Sequence, residues 1–146
     1  MIKIAANKDQ AMLDWISSNP QGIPVMFNFL SGDPDSYAFV PSAAEAVVKR
    51  YINGSARKRY DFAFQLMRPM SQTTDNVNLE SMYIMRQWQE WIDEQERTGN
   101  YPDFGPACSD YRLENLSNGP QLAMSYTEDQ MAKYQFMATL YYLEEK

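Results

Sequence analysis

Carboxylate side chains are the first candidates for chemistry in this sequence, because paired Asp and Glu residues can act as general acid and base. The densest group comprises Glu90, Asp93, Glu94 and Glu96. Glu90 and Glu94 are four residues apart, and two carboxylates at this spacing on a helix repel each other mildly. A solvated helix face accommodates them most simply, so we expect the group to be solvent-exposed. We expect the same of two further acidic pairs, Glu128-Asp129 at a turn and Glu144-Glu145 near the end of the chain.

Other catalytic chemistries lack their side chains. The 146 residues contain no His, which removes the commonest zinc ligand and every Ser-His-Asp or Cys-His nucleophile arrangement. The single cysteine, Cys108, excludes an internal disulfide and a thiolate metal cage. The Gly-Lys-Ser/Thr sequence of a phosphate-binding loop is missing as well. The sequence therefore predicts neither a metal site nor a cofactor site.

Basic side chains form a second dense group. Five of the thirteen Lys and Arg residues fall within eleven positions, namely Lys49, Arg50, Arg57, Lys58 and Arg59. Asn53-Gly54 between them is a strong signal for a hairpin with a two-residue turn, in which both central residues need positive φ. Such a turn places Arg50 opposite Arg57 and Lys49 opposite Lys58, and like charges in facing positions destabilise a sheet.

Two interpretations of this basic hairpin are open. It is a solvated tip whose charges prevent edge-to-edge aggregation, or it contacts an acidic partner. The partner would be the acidic part of a neighbouring subunit or a nucleic-acid backbone, and high salt would weaken either contact. The chain itself is asymmetric, because residues 1–73 hold eight basic and six acidic groups whereas residues 74–146 hold five basic and thirteen acidic. The net charge of −6 argues against stable DNA binding.

The elements that must position these groups follow from hydrophobic periodicity. Met12, Trp15 and Ile16 recur at helical spacing in a short helix that follows Asn7 and ends before Pro20. Strands are predicted at residues 25–30, 37–40, 47–52, 57–67, 111–116 and 132–143. An extended and partly mobile segment is predicted after Asn118-Gly119-Pro120.

The long helix and the last strand carry the clearest patterns. The helix begins at Thr74-Asp75, has Ile84, Trp88 and Ile92 among its apolar positions, and ends at Gly99. The strand at 132–143 is apolar on both faces near its end, which favours a central position. We predict one domain spanning residues 1–146. Its class is α+β, with a largely antiparallel sheet of about five to six strands packed against one long helix and a short N-terminal helix.

Several segments, in this order and spacing, resemble a family of small tailed-phage proteins. The segments are Val47–Ser55, Tyr60–Phe64, Asn78–Glu80, Trp91–Gln95, the loop Tyr101–Gly105 and the closing Ala132–Gln135. The family is that of phage minor capsid proteins, which look like tail terminators, also called tail-to-head joining proteins. The resemblance covers roughly residues 45–144, whereas the first 40 residues match only in element order. The family usually has Leu-Pro before the glycine loop, and Tyr101 takes the Leu position here.

The resemblance implies a structural and non-enzymatic role. Tail terminators form hexameric rings that cap the tail tube, end its polymerisation and present a surface to the head. The implied partners are other copies of this chain, the major tail-tube protein and a head connector or stopper protein, with DNA only transiently in the channel. The implied location is the tail–head junction of the virion, after assembly in the host cytoplasm. The resemblance also suggests that Arg57, Lys58 and Arg59 contribute to ring contacts or line the channel.

Alternatives stay open at this point. Within the structural class they are another head–tail connector or stopper, or a tail-tube-related subunit. From a different class comes a small ligand- or peptide-binding module that uses an apolar outer face of the sheet, and an enzyme ranks third after these. The sequence has no run of 18 apolar residues and no apolar core of a signal peptide in its first 19 residues. We therefore expect a soluble protein without a membrane partner, made in a reducing cytoplasm.

Overall fold

Seven strands and two helices make up the described part of the chain. The structure is a computed structural model that describes residues 8–18, 25–27, 36–41, 46–69, 76–115, 121–126 and 131–145. In chain order the elements are α1 (Lys8–Ser17), β1 (Met26–Phe27), β2 (Ser36–Pro41), β3 (Ala46–Arg50), β4 (Ala56–Pro69), α2 (Asn76–Thr98), β5 (Cys108–Asn115), β6 (Gln121–Tyr126) and β7 (Met131–Glu144). The predicted α+β class is confirmed.

All seven of these strands belong to one sheet. Its continuous order is β1-β2-β4-β7-β5, with β3 also paired to β4 and β6 also paired to β7. Among the described strands, β1 and β2 run parallel and every other pair is antiparallel. The two central strands pair along their whole length, from Ala56 opposite Glu144 to Pro69 opposite Met131. The predicted central position of the last strand is therefore confirmed.

Each of the two long central strands, β4 and β7, pairs with two different strands along its outer edge. Along β4 the neighbour is β3 at residues 56–59 and β2 at residues 62–67. Along β7 it is β6 at residues 131–135 and β5 at residues 138–144. The sheet is thus five strands across with two short strands added at opposite corners, where the sequence predicted five to six strands.

Alternation along β4 and β7 builds the core. Tyr60, Phe62, Phe64 and Leu66 lie on one face of β4 and are buried, as the period of two predicts. Both helices pack on this face. The Trp88 ring of α2 lies 4.4 Å from the Phe64 ring, and Trp15 of α1 meets Phe62 edge-to-face with 6.4 Å between ring centroids. The opposite face of the long strands mixes charged, polar and apolar side chains.

The long helix ends as its sequence predicts. Gly99 follows the last helical residue with a φ of 72°, a value that Gly adopts without steric cost. Its N–H donates to the Glu96 carbonyl oxygen at 3.3 Å, and the Asn100 N–H donates to the Gln95 carbonyl oxygen at 2.9 Å. This pair of hydrogen bonds is the Schellman motif, which satisfies two of the carbonyl groups that a helix end leaves unpaired.

Other predicted elements agree in place and differ in length. The predicted strand at 37–40 is β2, that at 111–116 is β5 beginning at Cys108, and the segment predicted only as extended contains β6. Of the strand predicted at 25–30, the described residues include β1. The turn at Asn118-Gly119-Pro120, the helix cap at Asn7 and the pair Glu128-Asp129 lie outside the described residues.

Candidate functional site

The hairpin that carries the basic cluster closes through a three-residue loop. The Tyr51 N–H donates to the Ser55 carbonyl oxygen at 2.9 Å, and the Gly54 N–H donates to the Tyr51 carbonyl oxygen at 3.1 Å. Gly54 has a φ of 90°, while Asn53 does not have positive φ. This is the hairpin in which a turn is followed by a glycine in a bulge. The predicted hairpin is present, but the two-residue turn with two positive φ values was wrong.

Asn53 accounts for this difference. Its side-chain oxygen accepts hydrogen bonds from the Ser55 N–H at 3.1 Å and from the Ser55 hydroxyl at 2.6 Å. An Asn that binds its own backbone two residues on forms an Asx-turn, which competes with the turn in which Asn adopts positive φ. Ser55 is 6% exposed, so these bonds hold a buried polar residue.

The longer loop changes which residues face each other. Arg50 lies opposite Ala56, Lys49 opposite Arg57 and Val47 opposite Lys58, with a register shift between Val47 and Lys49. The predicted pairs Arg50–Arg57 and Lys49–Lys58 were therefore wrong, and one like-charge pair remains. The Lys49 ammonium lies 5.3 Å from the centre of the Tyr51 ring, a cation–π contact.

Arg57 is bound to the acidic half of its own chain. One guanidinium nitrogen forms an ion pair with the Asp110 carboxylate, and another donates to the Asp110 carbonyl oxygen at 3.3 Å. Asp110 lies where the pairing of β5 with β7 shifts, between Ser109 and Arg112, and has a φ of 53°. Irregularities of this kind re-aim side chains at sheet edges. Here the irregularity places the carboxylate and the carbonyl oxygen of Asp110 within reach of the Arg57 guanidinium.

Lys58 belongs to a second and tighter group, which we call the Glu144 cluster. Its ammonium lies 2.6 Å from one oxygen of the Glu144 carboxylate, and the Lys8 ammonium of α1 lies 2.7 Å from the other. The Cys108 thiol donates to that second oxygen at 3.5 Å. Hydrogen bonds from the two lysines lower the pKa of Glu144 to about 2, so the carboxylate stays ionised. The prediction that Glu144 is merely solvent-exposed was wrong.

Arg59 completes the inventory of the basic cluster. Its guanidinium lies 3.1 Å from the carboxylate of Asp61, two residues along the same strand. Arg57, Lys58 and Arg59 are thus all paired within the chain. Lys49 and Arg50 are exposed, and among the described residues neither has an acidic partner within 4 Å. The five candidate residues therefore divide into three that stabilise the subunit and two that remain available on β3.

Apolar side chains accompany these two residues on the same hairpin. Val47 is 41% exposed, Val48 52% and Tyr51 39%, and Ile52 in the loop is fully exposed. Contiguous apolar side chains on the surface of a small protein mark an interaction site. The sequence drew attention to the basic residues of this hairpin, whereas the exposure of Val47, Val48 and Ile52 depends on the tertiary structure.

The acidic group on α2 divides as well. Glu90, Asp93 and Glu94 are exposed, as predicted. Glu96 is half-buried, because one of its oxygens accepts from the Leu113 N–H of β5 at 2.6 Å and the other from the Tyr101 hydroxyl at 2.7 Å. Burial is the main cause that raises the pKa of Tyr101 to about 12, and the hydrogen bond to Glu96 adds to this effect. For Glu96 the predicted solvated position was wrong, since its carboxylate fastens α2 to the sheet edge.

An open groove lies beside Arg57. It has a volume of about 530 Å³ and is lined mainly by charged and aromatic side chains, among them Asp110, Arg112, Glu114 and Tyr141. Ligand sites for small molecules are usually apolar and enclosed, with few polar groups. The groove therefore does not favour a small-molecule site.

Within the described ranges, no three or more Cys, Asp and Glu side chains are grouped so as to hold a metal ion. Of the two helices in that part of the chain, neither combines the length and the apolar character needed to cross a membrane. Comparison with protein-family models finds no match for the chain, and comparison with curated proteins finds none either. The functional assignment therefore depends on the surface just described and on the resemblance of the sequence segments.

Proposed function

We propose that the chain is a structural subunit of a tailed phage, a tail terminator that assembles into a ring, ends polymerisation of the tail tube and offers the surface for head attachment. The observation that carries the proposal is the β3–β4 hairpin, on which four large apolar side chains face solvent together with two cations that have no acidic partner among the described residues. A subunit that assembles with other proteins needs such a surface. The segments that resemble tail terminators include this hairpin.

The proposed partners follow from the role. They are further copies of the chain, six in the complete ring, together with the major tail-tube protein and a head connector or stopper. DNA passes only transiently, and the location is the tail–head junction of a virion assembled in the host cytoplasm. Of the five basic residues, Lys49 and Arg50 are the ones we assign to contacts between proteins, because the other three already serve the subunit.

Deleting the gene from the phage that encodes the chain tests the proposal. If the chain is a tail terminator, electron micrographs of the deletion mutant should show tubes of uncontrolled length. Supplying the chain in trans should restore a uniform length. A complementing chain with Lys49→Glu and Arg50→Glu is expected to fail, whereas Leu122→Asp, at an exposed residue outside the hairpin, is expected to succeed.

The same micrographs separate the alternatives. Tails of normal length that do not join heads would overturn the terminator and point to a connector or stopper. Absence of tubes would point to a tail-tube-related subunit. Tails and infectivity unaffected by the deletion would remove the structural role altogether and leave a ligand-binding module as the better description.

A further inference from the structure

We infer that the hairpin of one copy docks on the outward face of α2 in a second copy, so that the subunits join head to tail. Residues 47–52 form the hairpin patch. Leu79, Tyr83, Gln87 and Glu90, which are exposed at helical spacing along one stripe of α2, form the helix patch. The inference rests on the proposed function in taking a second copy of the chain as the partner.

The distribution of exposed apolar side chains points to these two patches. Among the described residues, seven large hydrophobic side chains are exposed. Four belong to the hairpin patch, and Leu79 and Tyr83, at 65% and 62% exposure, belong to the helix patch, which leaves Leu122 as the seventh. Apolar and aromatic side chains concentrate in the cores of protein interfaces. Contact between the two patches would therefore remove exposed apolar side chains of both from water.

The charges of the two patches are complementary. Lys49 and Arg50 give the hairpin patch two cations that the described part of the subunit does not neutralise. Around the helix patch, the exposed charged residues between Leu79 and Glu94 are four acids and one base, namely Glu80, Glu90, Asp93, Glu94 and Arg86. Glu80 pairs with Arg68 and Glu94 with Arg97, so Glu90 and Asp93 are the two of these acids without a basic partner among the described residues. Opposite charges at the edges of an interface steer the approach of two proteins and fix their orientation.

The hairpin patch and the start of the helix patch lie at opposite ends of β4. The hairpin patch precedes Ala56 at the start of β4, while the N-terminal part of α2 is fastened to the end of β4 by the hydrogen bond from Arg68 to the Ser81 hydroxyl at 3.1 Å. Twelve residues of strand separate Ala56 from Arg68, which is up to about 40 Å. One chain cannot bring its own Ile52 and Tyr83 together, so in a homo-oligomer this contact joins two copies. Contacts between two different patches repeat from copy to copy and produce a ring when the rotation closes.

Two variants test this arrangement. Ile52→Asp damages the hairpin patch and Tyr83→Asp the helix patch, and both positions are exposed, so the subunit is expected to fold. In light scattering during size exclusion, each variant alone is expected to need at least tenfold more protein for half-assembly than the wild type. Leu122→Asp, equally apolar and exposed but outside both patches, is expected to assemble normally.

Mixing the two variants distinguishes a head-to-tail contact from a symmetric one. The Tyr83→Asp chain retains an intact hairpin patch and the Ile52→Asp chain an intact helix patch, so together they form one good interface and stop at a dimer. Normal assembly of either variant alone, or a mixture that stays monomeric, overturns the inference. A hairpin-to-hairpin contact would be revealed by a dimer of the Tyr83→Asp chain alone.

Cross-linking covers the case of weak assembly. A chain with Ile52→Cys mixed with a chain with Tyr83→Cys is expected to yield a linked dimer with a short bismaleimide, whereas the unmodified chain, whose Cys108 is buried, yields none. A monomeric wild type with no linked product at any concentration overturns the inference. A wild type that forms rings and caps tubes without this linkage overturns the interface and leaves the proposed function standing. Tubes of normal length in the deletion overturn the proposed function, whether or not the linkage forms.

Discussion

The Lys58 ammonium lies 2.6 Å from the Glu144 carboxylate, although the two residues are 86 positions apart. Lys58 belongs to the half of the sequence with an excess of basic groups, and Glu144 to the half with an excess of acidic ones. Arg57 and Asp110 repeat this relationship one residue away. The asymmetry of charge along the chain is therefore used in part within each subunit, and only the remainder is available for contacts between subunits.

Removing the charge of Glu144 will destabilise the fold. Glu144→Gln leaves the ammonium groups of Lys8 and Lys58 without their anion, and we expect the free energy of unfolding to fall by about 1–2 kcal/mol, since the groups are partly solvated. Urea unfolding at near-neutral pH measures the change. Glu145→Gln, at the exposed neighbour, should stay within about 0.5 kcal/mol. Equal effects of the two substitutions would contradict the role of the cluster.

The contribution of the Glu144 cluster depends on pH in a defined direction. The pKa of Glu144 is lowered from 4.5 to about 2, so the native state holds the ionised form more strongly than the unfolded state. Its stabilisation is complete above pH 4.5 and is lost as the pH falls towards 2. We expect the stability difference between wild type and Glu144→Gln to shrink over this interval in urea titrations. A difference that stays constant would show that charge is not its origin.

Glu96 is expected to matter more than its neighbours on α2. Glu96→Ala leaves the N–H of the buried Leu113 without its acceptor, and an unpaired buried donor costs about 1–3 kcal/mol. Glu94→Ala is the matched control on the same helix, because Glu94 is exposed and in the described part of the chain its carboxylate pairs only with Arg97 three residues away. Ion pairs at such exposed positions contribute little to stability. Comparable losses in denaturant midpoints would mean that the Glu96 hydrogen bonds contribute little.

The hairpin loop supplies a test of backbone conformation. Gly54→Ala places a Cβ on a residue with a φ of 90°, which costs about 1–2 kcal/mol. Asn53→Gly is expected to destabilise as well, because it removes the acceptor for the Ser55 N–H and hydroxyl. In a two-residue turn with positive φ at both positions, glycine would be favourable there. If Asn53→Gly raised the melting temperature in thermal unfolding, that result would favour a two-residue turn over the three-residue loop described here.

Charge reversal at two positions on the same hairpin separates folding from assembly. Arg57→Glu places a carboxylate beside Asp110 and is expected to lower the stability of the subunit by about 1 kcal/mol. Arg50→Glu breaks no ion pair in the described part of the chain, so stability should change by less than about 0.5 kcal/mol. Unfolding curves measure the first effect, and light scattering should show weaker assembly for the second. The opposite ranking of stabilities would contradict the assignment of these residues.

The elements with strong local signals could be predicted from the sequence. The alternation of Tyr60, Phe62, Phe64 and Leu66 identified β4 and its buried face, and the apolar positions of α2 with the terminal Gly99 identified the helix and its end. The short strand β6 also alternates, with Leu122, Met124 and Tyr126 separated by Ala123 and Ser125, and it pairs with the nearby start of β7, where Tyr126 lies opposite Met131. Its six residues follow the turn residues Asn118-Gly119-Pro120, and the sequence there was interpreted only as an extended segment.

The interaction surface was predictable only in part. The concentration of Lys49, Arg50, Arg57, Lys58 and Arg59 was visible, but the division between paired and available residues depends on a register that one extra loop residue changed. The role of Glu144 depends on β7 lying beside β4, and that of Glu96 on the distance between α2 and β5. These are tertiary relationships, whereas spacing along a sequence reports only on secondary structure.

The central position of β7 also has a consequence for the order of folding. Every other described element precedes β7 in the chain, yet β4, β5 and β6 all need it as a partner. During synthesis β4 therefore lacks the strand with which it pairs most extensively until β7 has left the ribosome. Strand pairing between segments this distant forms slowly, because the entropy lost in closing the loop precedes the stabilising contacts. Folding of this protein is accordingly expected to wait for the synthesis of β7, with β4 as the strand most exposed to aggregation until then.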